Sequence, residues 1–190
     1  PLLSRVPALF GANINDVLLT AFALAVAMWP ERRRLGGGTE VLLDLEGHGR
    51  EELGDTDLSR TVGWFTSLFP VRLELGRDLD LDLALAGEAA LGTAIKRIKE
   101  QLRRVPDNGL GYGLLRYLNA DTSPILEADG TAELAFNYLG RFDASGANDW
   151  ELVPEIGMVR AGRDRRMPLT HAVTLLSLIH ISEPTRLRRI

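Results

Sequence analysis

The stretch TEVLLDLEGHGRE, residues 39–51, joins a short apolar segment directly to a charged, glycine-rich loop. Its first part, Thr39 to Leu45, contains β-branched residues and is flanked by glycines, which predicts a buried strand. Glu46 then places a carboxylate at the mouth of that strand, where partial removal from water suits a group for proton transfer. Glycines beside His48 allow unusual backbone angles and close approach of a ligand. A polar turn in water is the plainer alternative.

Working outward from this stretch, hydrophobic spacing predicts helices and further strands. Apolar residues from Leu91 to Leu102 fall on one helix face at steps of four, three and four. From 78 to 85, Asp and Leu alternate, which predicts a half-exposed strand. The predicted elements are a helix from Asn15–Asp16 to Trp29, strands Phe69–Leu75 and Leu79–Leu85, a helix Glu88–Arg104, a short helix within Gly109–Asn119, and a strand Glu133–Tyr138. This order indicates a mixed α/β (α+β) lobe and is too irregular for a Rossmann sheet.

Composition excludes several function classes. The 190 residues include 22 Lys and Arg against 26 Asp and Glu, a net charge of −4, which gives no footprint for nucleic acid or an anionic membrane. With no cysteine and three histidines, disulfides, thiolate chemistry and a multi-histidine metal site are all disfavoured, and a cytoplasmic location is expected. Basic side chains crowd the second half of the predicted helix Glu88–Arg104. They suit that end of a helix dipole, and a phosphate-bearing partner is the alternative.

The longest apolar stretch, Val17 to Trp29, is too short to span a membrane, so it predicts a buried helix. The first residues lack the pattern of a signal peptide. Because the chain does not begin with Met, we expect it to be a piece of a longer protein.

Five segments, read in order, resemble the signature motifs of epimerization domains of nonribosomal peptide synthetases, which are relatives of condensation domains. The fourth-motif segment, Glu-Gly-His-Gly-Arg-Glu, matches without a departure. The fifth has Phe69 where Tyr is commoner, and the seventh has Arg141 where Gln is frequent. The five segments are Asp16–Ala23, Glu46–Glu51, Arg60–Pro70, Pro106–Gly113 and Phe136–Asp143.

This resemblance implies one lobe of a two-lobed fold like that of chloramphenicol acetyltransferase, with a tunnel between the lobes. A carrier protein would present an aminoacyl or peptidyl thioester there on its 4′-phosphopantetheine arm, and the enzyme would bind no cofactor directly. The reaction removes the Cα proton and returns one to the opposite face, so L and D forms mix. Glu46 would be one proton-transfer group. The other would be the second His of a His-His-x-x-x-Asp-Gly motif, which this chain lacks, so the chain alone is expected to be inactive.

The resemblance also implies roles for other residues. Tyr138 would donate a hydrogen bond near the enolate or thioester oxygen, and Asn137 would line the site; a half-buried strand end is the structural alternative. His48 and Arg50 would hold the loop by charge pairing around Glu46 or Glu51. Trp64, with Phe65, would pack the tunnel floor or contact substrate. Tyr112 is a candidate substrate-binding residue in a glycine-rich turn.

The expected partners are an upstream carrier protein, the N-terminal lobe that carries the histidine motif, and a downstream condensation domain or docking segment, with no nucleic acid and no membrane. Two alternatives are a condensation domain that forms peptide bonds and a non-catalytic domain that only docks the carrier. Residues 175–190 resemble the translation of sequencing-adapter read-through, so we assign residues 1–174 to the lobe and exclude the rest.

Overall fold

The computed structural model describes residues 4–51, 56–143 and 166–181. A four-stranded sheet runs through this part of the chain. Its strands, in the spatial order β2-β1-β3-β4, are β1 (Glu40–Gly47), β2 (Ser67–Glu74), β3 (Leu134–Asp143) and β4 (Val173–Ile181). β1 pairs with β2 in antiparallel fashion, whereas the β1–β3 and β3–β4 pairs are parallel. The central strands β1 and β3 are therefore neighbours despite their long separation in sequence.

Helices follow the strands in a mixed order. They are α1 (Arg5–Phe10), α2 (Ile14–Met28), α3 (Pro30–Arg34), α4 (Leu81–Leu85), α5 (Ala89–Leu102), a 3₁₀ turn (Pro106–Gly109), α6 (Tyr112–Tyr117) and α7 (Ser123–Ala128). The predicted long helix and the strands around Val41, Val71 and Phe136 are confirmed, with ends shifted by a few residues. α7 was not predicted.

One face of the sheet forms the hydrophobic core with α2, α4 and α5. Val41 and Leu43 of β1 are almost completely buried there, and the Phe136 ring of β3 lies 6.1 Å from that of Phe22. Because side chains alternate along a strand, the residues between them point to the opposite, outer face. On β1 the outer-face residues include Leu42, Asp44 and Glu46.

α2 begins two residues earlier than predicted. Asn13, not Asn15, is the cap: its side chain accepts a hydrogen bond from the Asp16 backbone N–H at 2.9 Å, and Asp16 Oδ2 accepts one from the Asn13 N–H at 2.7 Å. This reciprocal pair satisfies two N–H groups that a helix start leaves open. Burial raises the pKa of Asp16, although the Asn13 N–H, Arg103 and Lys99 oppose the rise. Pro30 ends α2 as predicted and also opens α3.

The strand predicted at Leu79–Leu85 is wrong, because this segment contains the short helix α4. The Asp80 carboxylate accepts hydrogen bonds from the backbone N–H groups of Asp82 and Leu83, both at 3.0 Å. Asp is a strong helix cap and a poor strand former, so the cap overrides the two-residue alternation.

β4 crosses the boundary that the sequence suggested at residue 174. Val173 and Thr174 pair with Leu134 and Ala135 of β3, and the strand continues through Ile181. Residues 182–190 of the excluded tail lie outside the described residues, and the assignment of residues 175–190 as an artefact stays a prediction. Within the described ranges, no helix combines the length and apolar character needed to cross a membrane.

Candidate active site

Glu46 and Asn137 meet on the outer face of the sheet. The parallel register pairs Leu45 with Phe136, so the next residue on each strand lies at the same level. The Asn137 amide Nδ2 donates a hydrogen bond to Glu46 Oε2, and both residues are half-buried. This contact joins positions 91 residues apart in sequence. The carboxylate that sequence reasoning singled out is thus held in place by a neutral donor at the end of β1.

Tyr138 lies on the other side of the sheet from this pair. It packs against the hydrophobic core together with Leu134, in line with the alternation of β3. Gly140 follows with φ of 91°, and the pairing with β4 shifts register between Tyr138 and Arg141. The structure therefore brings Asn137 to Glu46 but does not bring Tyr138 to the same face. The hydrogen-bonding role of Tyr138 stays a prediction.

The loop after β1 is held by contacts to the segment before β2. Gly49 has φ of 65°, and a Cβ there would overlap the Phe65 carbonyl oxygen. The Arg50 guanidinium donates to the Leu58 carbonyl at 2.6 Å and lies over the Phe65 ring, 4.5 Å from its centre. Arg50 thus holds the loop through backbone carbonyls and an aromatic face rather than through the expected carboxylate.

His48 points outward from the same loop, with 72% of its side chain exposed. Its Nδ1 accepts a hydrogen bond from the Arg50 backbone N–H at 2.9 Å, and its Nε2 lies 3.7 Å from Glu51 Oε1. The side chain is therefore engaged with its own loop, beside Glu51 rather than Glu46.

Glu51 ties this loop to the 3₁₀ turn. Its Oε2 accepts a hydrogen bond from Asn108 Nδ2 at 2.9 Å, and Asn108, like Asp107, has a left-handed backbone with φ of 49° and 46° respectively. Asn and Asp tolerate that conformation better than other non-glycine residues. A cavity of about 650 Å³ opens between the two segments, lined in part by Arg50, Glu51 and Leu114. Two motifs that are separate in sequence thus share one wall.

Tyr112, at the start of α6, packs against the hydrophobic core and lines a second cavity of about 500 Å³ beside Phe69 and Val105. Burial raises the pKa of the Tyr112 phenol, and the nearby Tyr117 pushes it the same way while Arg116 opposes it. This cavity lies beside the edge strand β2, so the structure does not bring Tyr112 into the Glu46–Asn137 pair.

Trp64 is 92% exposed, and its neighbour Val62 is fully exposed. The described part of the chain therefore does not bury the indole, and its role at a tunnel floor stays a prediction. Phe65 is half-buried beneath Arg50.

A further pair, Asp44 and His171, escaped sequence reasoning. His171 Nε2 lies 2.8 Å from Asp44 Oδ2, and only 10% of the His171 side chain and 20% of the Asp44 side chain remain exposed. Asp44 precedes Glu46 by two residues on the same face, which strand periodicity could have shown. No local pattern connects His171 with it across 127 residues. Among the described residues, no cluster of three or more His, Cys, Asp or Glu side chains could hold a metal ion.

Comparison with known proteins decides the family. The profile of the family described as "Condensation domain" matches residues 2–153. The chain belongs to the condensation domain family. The resemblance to these domains of nonribosomal peptide synthetases is therefore confirmed.

Named relatives and a solved structure are similar to this condensation-family chain. One linear gramicidin synthase protein of Brevibacillus parabrevis is 45% identical over 143 residues, which make up 75% of this chain and 2% of that protein. A second protein of the same synthase is 47% identical over 144 residues, 74% of this chain and 2% of that protein. The crystal structure of the epimerization domain from the third module of tyrocidine synthetase B is 37% identical with a TM-score of 0.57, covering 76% of this chain and 29% of that one.

The chain thus spans a small part of the relatives it matches. The shared fold confirms the predicted mixed α/β class and its chloramphenicol acetyltransferase-like architecture.

Proposed function

We propose that this chain supplies one wall of an epimerization site in a nonribosomal peptide synthetase. The site would convert the L-residue of an aminoacyl or peptidyl thioester, carried on the 4′-phosphopantetheine arm of a carrier protein, to the D form. The observation that carries the proposal is the Glu46 carboxylate, held by Asn137 at the end of β1. The similarity to an epimerization domain supports it.

In the proposed reaction Glu46 transfers the proton at Cα. The Cα–H bond breaks, the proton moves to the carboxylate, and the bonding electrons delocalise into the thioester carbonyl as an enolate. A second acid then returns a proton to the opposite face of the planar carbon, so no oxidant or reductant is consumed. One group on one face cannot invert the centre, and the resemblance assigns the second role to a histidine outside this chain.

Asn137 acts in this proposal by orienting the base. Its amide donates to Oε2 of Glu46, which leaves Oε1 as the oxygen assigned to proton transfer. A neutral donor holds the carboxylate without the strong stabilisation of its charge that a cation would give, so the group keeps its basicity.

The test replaces Glu46 with Gln in the complete enzyme joined to its loaded carrier. We expect Glu46→Gln to slow deuterium incorporation at Cα from D₂O by about 100-fold or more, since a positioned acid or base contributes about that much. Chiral analysis of the released amino acid or peptide measures L-to-D conversion in parallel.

Glu40→Gln is the matched control. Glu40 lies on the same strand and face at its opposite end, where it is 3.9 Å from Arg72, so its change should leave exchange within about twofold. Unchanged exchange in Glu46→Gln would remove Glu46 from the mechanism. Peptide-bond formation without Cα exchange in the unaltered enzyme would support the condensation alternative, and loss of both activities with retained carrier binding would support docking.

A further inference from the structure

The Asp44–His171 pair lies beside the Glu46 position and has no part in the reaction described above. The two side chains are largely removed from water, and their hydrogen bond is 2.8 Å long. An ionised carboxylate only accepts hydrogen bonds, so the imidazole Nε2–H is the donor. The pair is therefore a charge-assisted contact in a partly desolvated place, which makes it stronger than an exposed one.

Asp44 and Glu46 are two positions apart on β1 and share the outer face. That spacing puts their Cα atoms roughly 6.5 Å apart along the strand. A change in the surroundings of Asp44 is therefore felt directly at Glu46, through the strand and through charge.

The backbone around His171 is fixed against β3. The N–H groups of Ala172 and Val173 both donate to the Glu133 carbonyl, at 2.8 and 3.2 Å. β3 lies between β1 and β4, and the same residue, Ala135, is the Cα partner of Asp44 on one side and Thr174 on the other. His171 thus reaches across β3 to β1, over a strand position whose side chain is a single methyl group.

We propose that His171 and Asp44 are positioning residues for Glu46, an inference that rests on the proposed function. Their hydrogen bond ties the segment that leads into β4 to β1 and pairs the carboxylate next to Glu46. Without the imidazole, Asp44 becomes an unpaired, partly buried carboxylate two residues from the base. The strand end then shifts to expose Asp44 to water, and Glu46 loses its alignment with Asn137.

The experiment measures Cα deuterium exchange in the complete, carrier-loaded enzyme for His171→Ala, His171→Gln, Asp44→Asn and the double variant His171→Ala/Asp44→Asn. We expect His171→Ala to lower kcat about 10-fold with KM for the loaded carrier within about twofold, because small misplacements of a base cost rate rather than binding. His171→Gln keeps an N–H donor and should recover kcat to within about threefold of the unaltered enzyme. The double variant should be no slower than the slower single variant, since both changes remove one contact.

Glu46→Gln and Glu40→Gln complete the series, and thermal midpoints report folding of every variant. A lower midpoint for His171→Ala with unchanged kcat per folded enzyme would overturn the positioning role and leave a purely structural contact. Additive losses in the double variant, or no recovery in His171→Gln, would also overturn it. If Glu46→Gln slows exchange while His171→Ala does not, only this inference fails. If neither slows exchange, the proposed function fails with it.

Discussion

At the scale of single residues, Gly49 is the position in the loop after β1 where a side chain has no room. Its φ of 65° disfavours any residue with a Cβ by about 1–2 kcal/mol, and that Cβ would also meet the Phe65 carbonyl. We expect Gly49→Ala to lower the free energy of unfolding by about 2 kcal/mol or more, as measured by urea denaturation.

Gly113 provides the matched comparison. It lies within α6, and a Cβ there would meet no atom within 4 Å. Gly113→Ala should raise the free energy of unfolding by about 0.5–1 kcal/mol, because alanine loses less backbone entropy in a helix. Equal effects of the two substitutions would show that the loop does not require glycine at position 49.

Asp16 gives a pH-dependent prediction. Burial raises its pKa in the folded protein above the ordinary 3.8, so the folded state holds this proton more tightly than the unfolded state does. Its contribution to stability is therefore present in acid and declines as pH rises from about 3.8 through the folded pKa. Asp16→Asn removes this titration while keeping an oxygen for the Asn13 N–H. We expect the stability difference between the two proteins to move in favour of Asp16→Asn over that pH range; a flat difference would argue against the burial effect.

At the scale of elements, two asparagines near the start of α2 have opposite expected effects. Asn13 accepts the Asp16 N–H, so Asn13→Ala should cost about 1 kcal/mol. The Asn15 Oδ1 is buried with no hydrogen-bond partner among the described residues, so Asn15→Ala should cost about 0.5 kcal/mol or less. Thermal or urea unfolding of both variants measures the contrast, and a larger loss at Asn15 would contradict the capping assignment.

The elements that the sequence predicted correctly are those whose signals are local and redundant. α5 has a regular apolar stripe, and β1 has glycines at both ends. α4 was misassigned because five residues are too few to distinguish a helical period from alternation, and its Asp80 cap decides the outcome. α7, with six residues and none buried, offered no apolar period at all.

At the scale of the whole molecule, the sheet has one packed face and one site-bearing face, and adjacent leucines test this division. Leu43 is fully buried among the helices, so Leu43→Ala should cost about 2–5 kcal/mol. Leu42 faces outward and is half-buried, so Leu42→Ala should cost about 1 kcal/mol. Similar losses in urea unfolding would mean that the outer face is packed as tightly as the core.

The candidate site was only partly predictable, since its contacts are long-range. Elementary chemistry singled out Glu46 from its place at a strand end, while Asn137 entered through family resemblance. The two were predicted without knowledge that β1 and β3 are neighbours. The same resemblance grouped Asn137 with Tyr138, although strand alternation sends adjacent side chains to opposite faces. His171 reaches Asp44 only through the order of the strands, which no short motif encodes.

The parallel pairing of β1 with β3 also has a consequence for folding kinetics. β1 first forms its hairpin-like pair with β2, which is close in sequence, and β3 can join only after the intervening helices have compacted. Closing so long a loop is slow, because chain entropy is lost before the new contacts are gained. Glu46 and Asn137 therefore meet late in folding. A nascent chain still on the ribosome would carry the loop after β1 long before it had an active site.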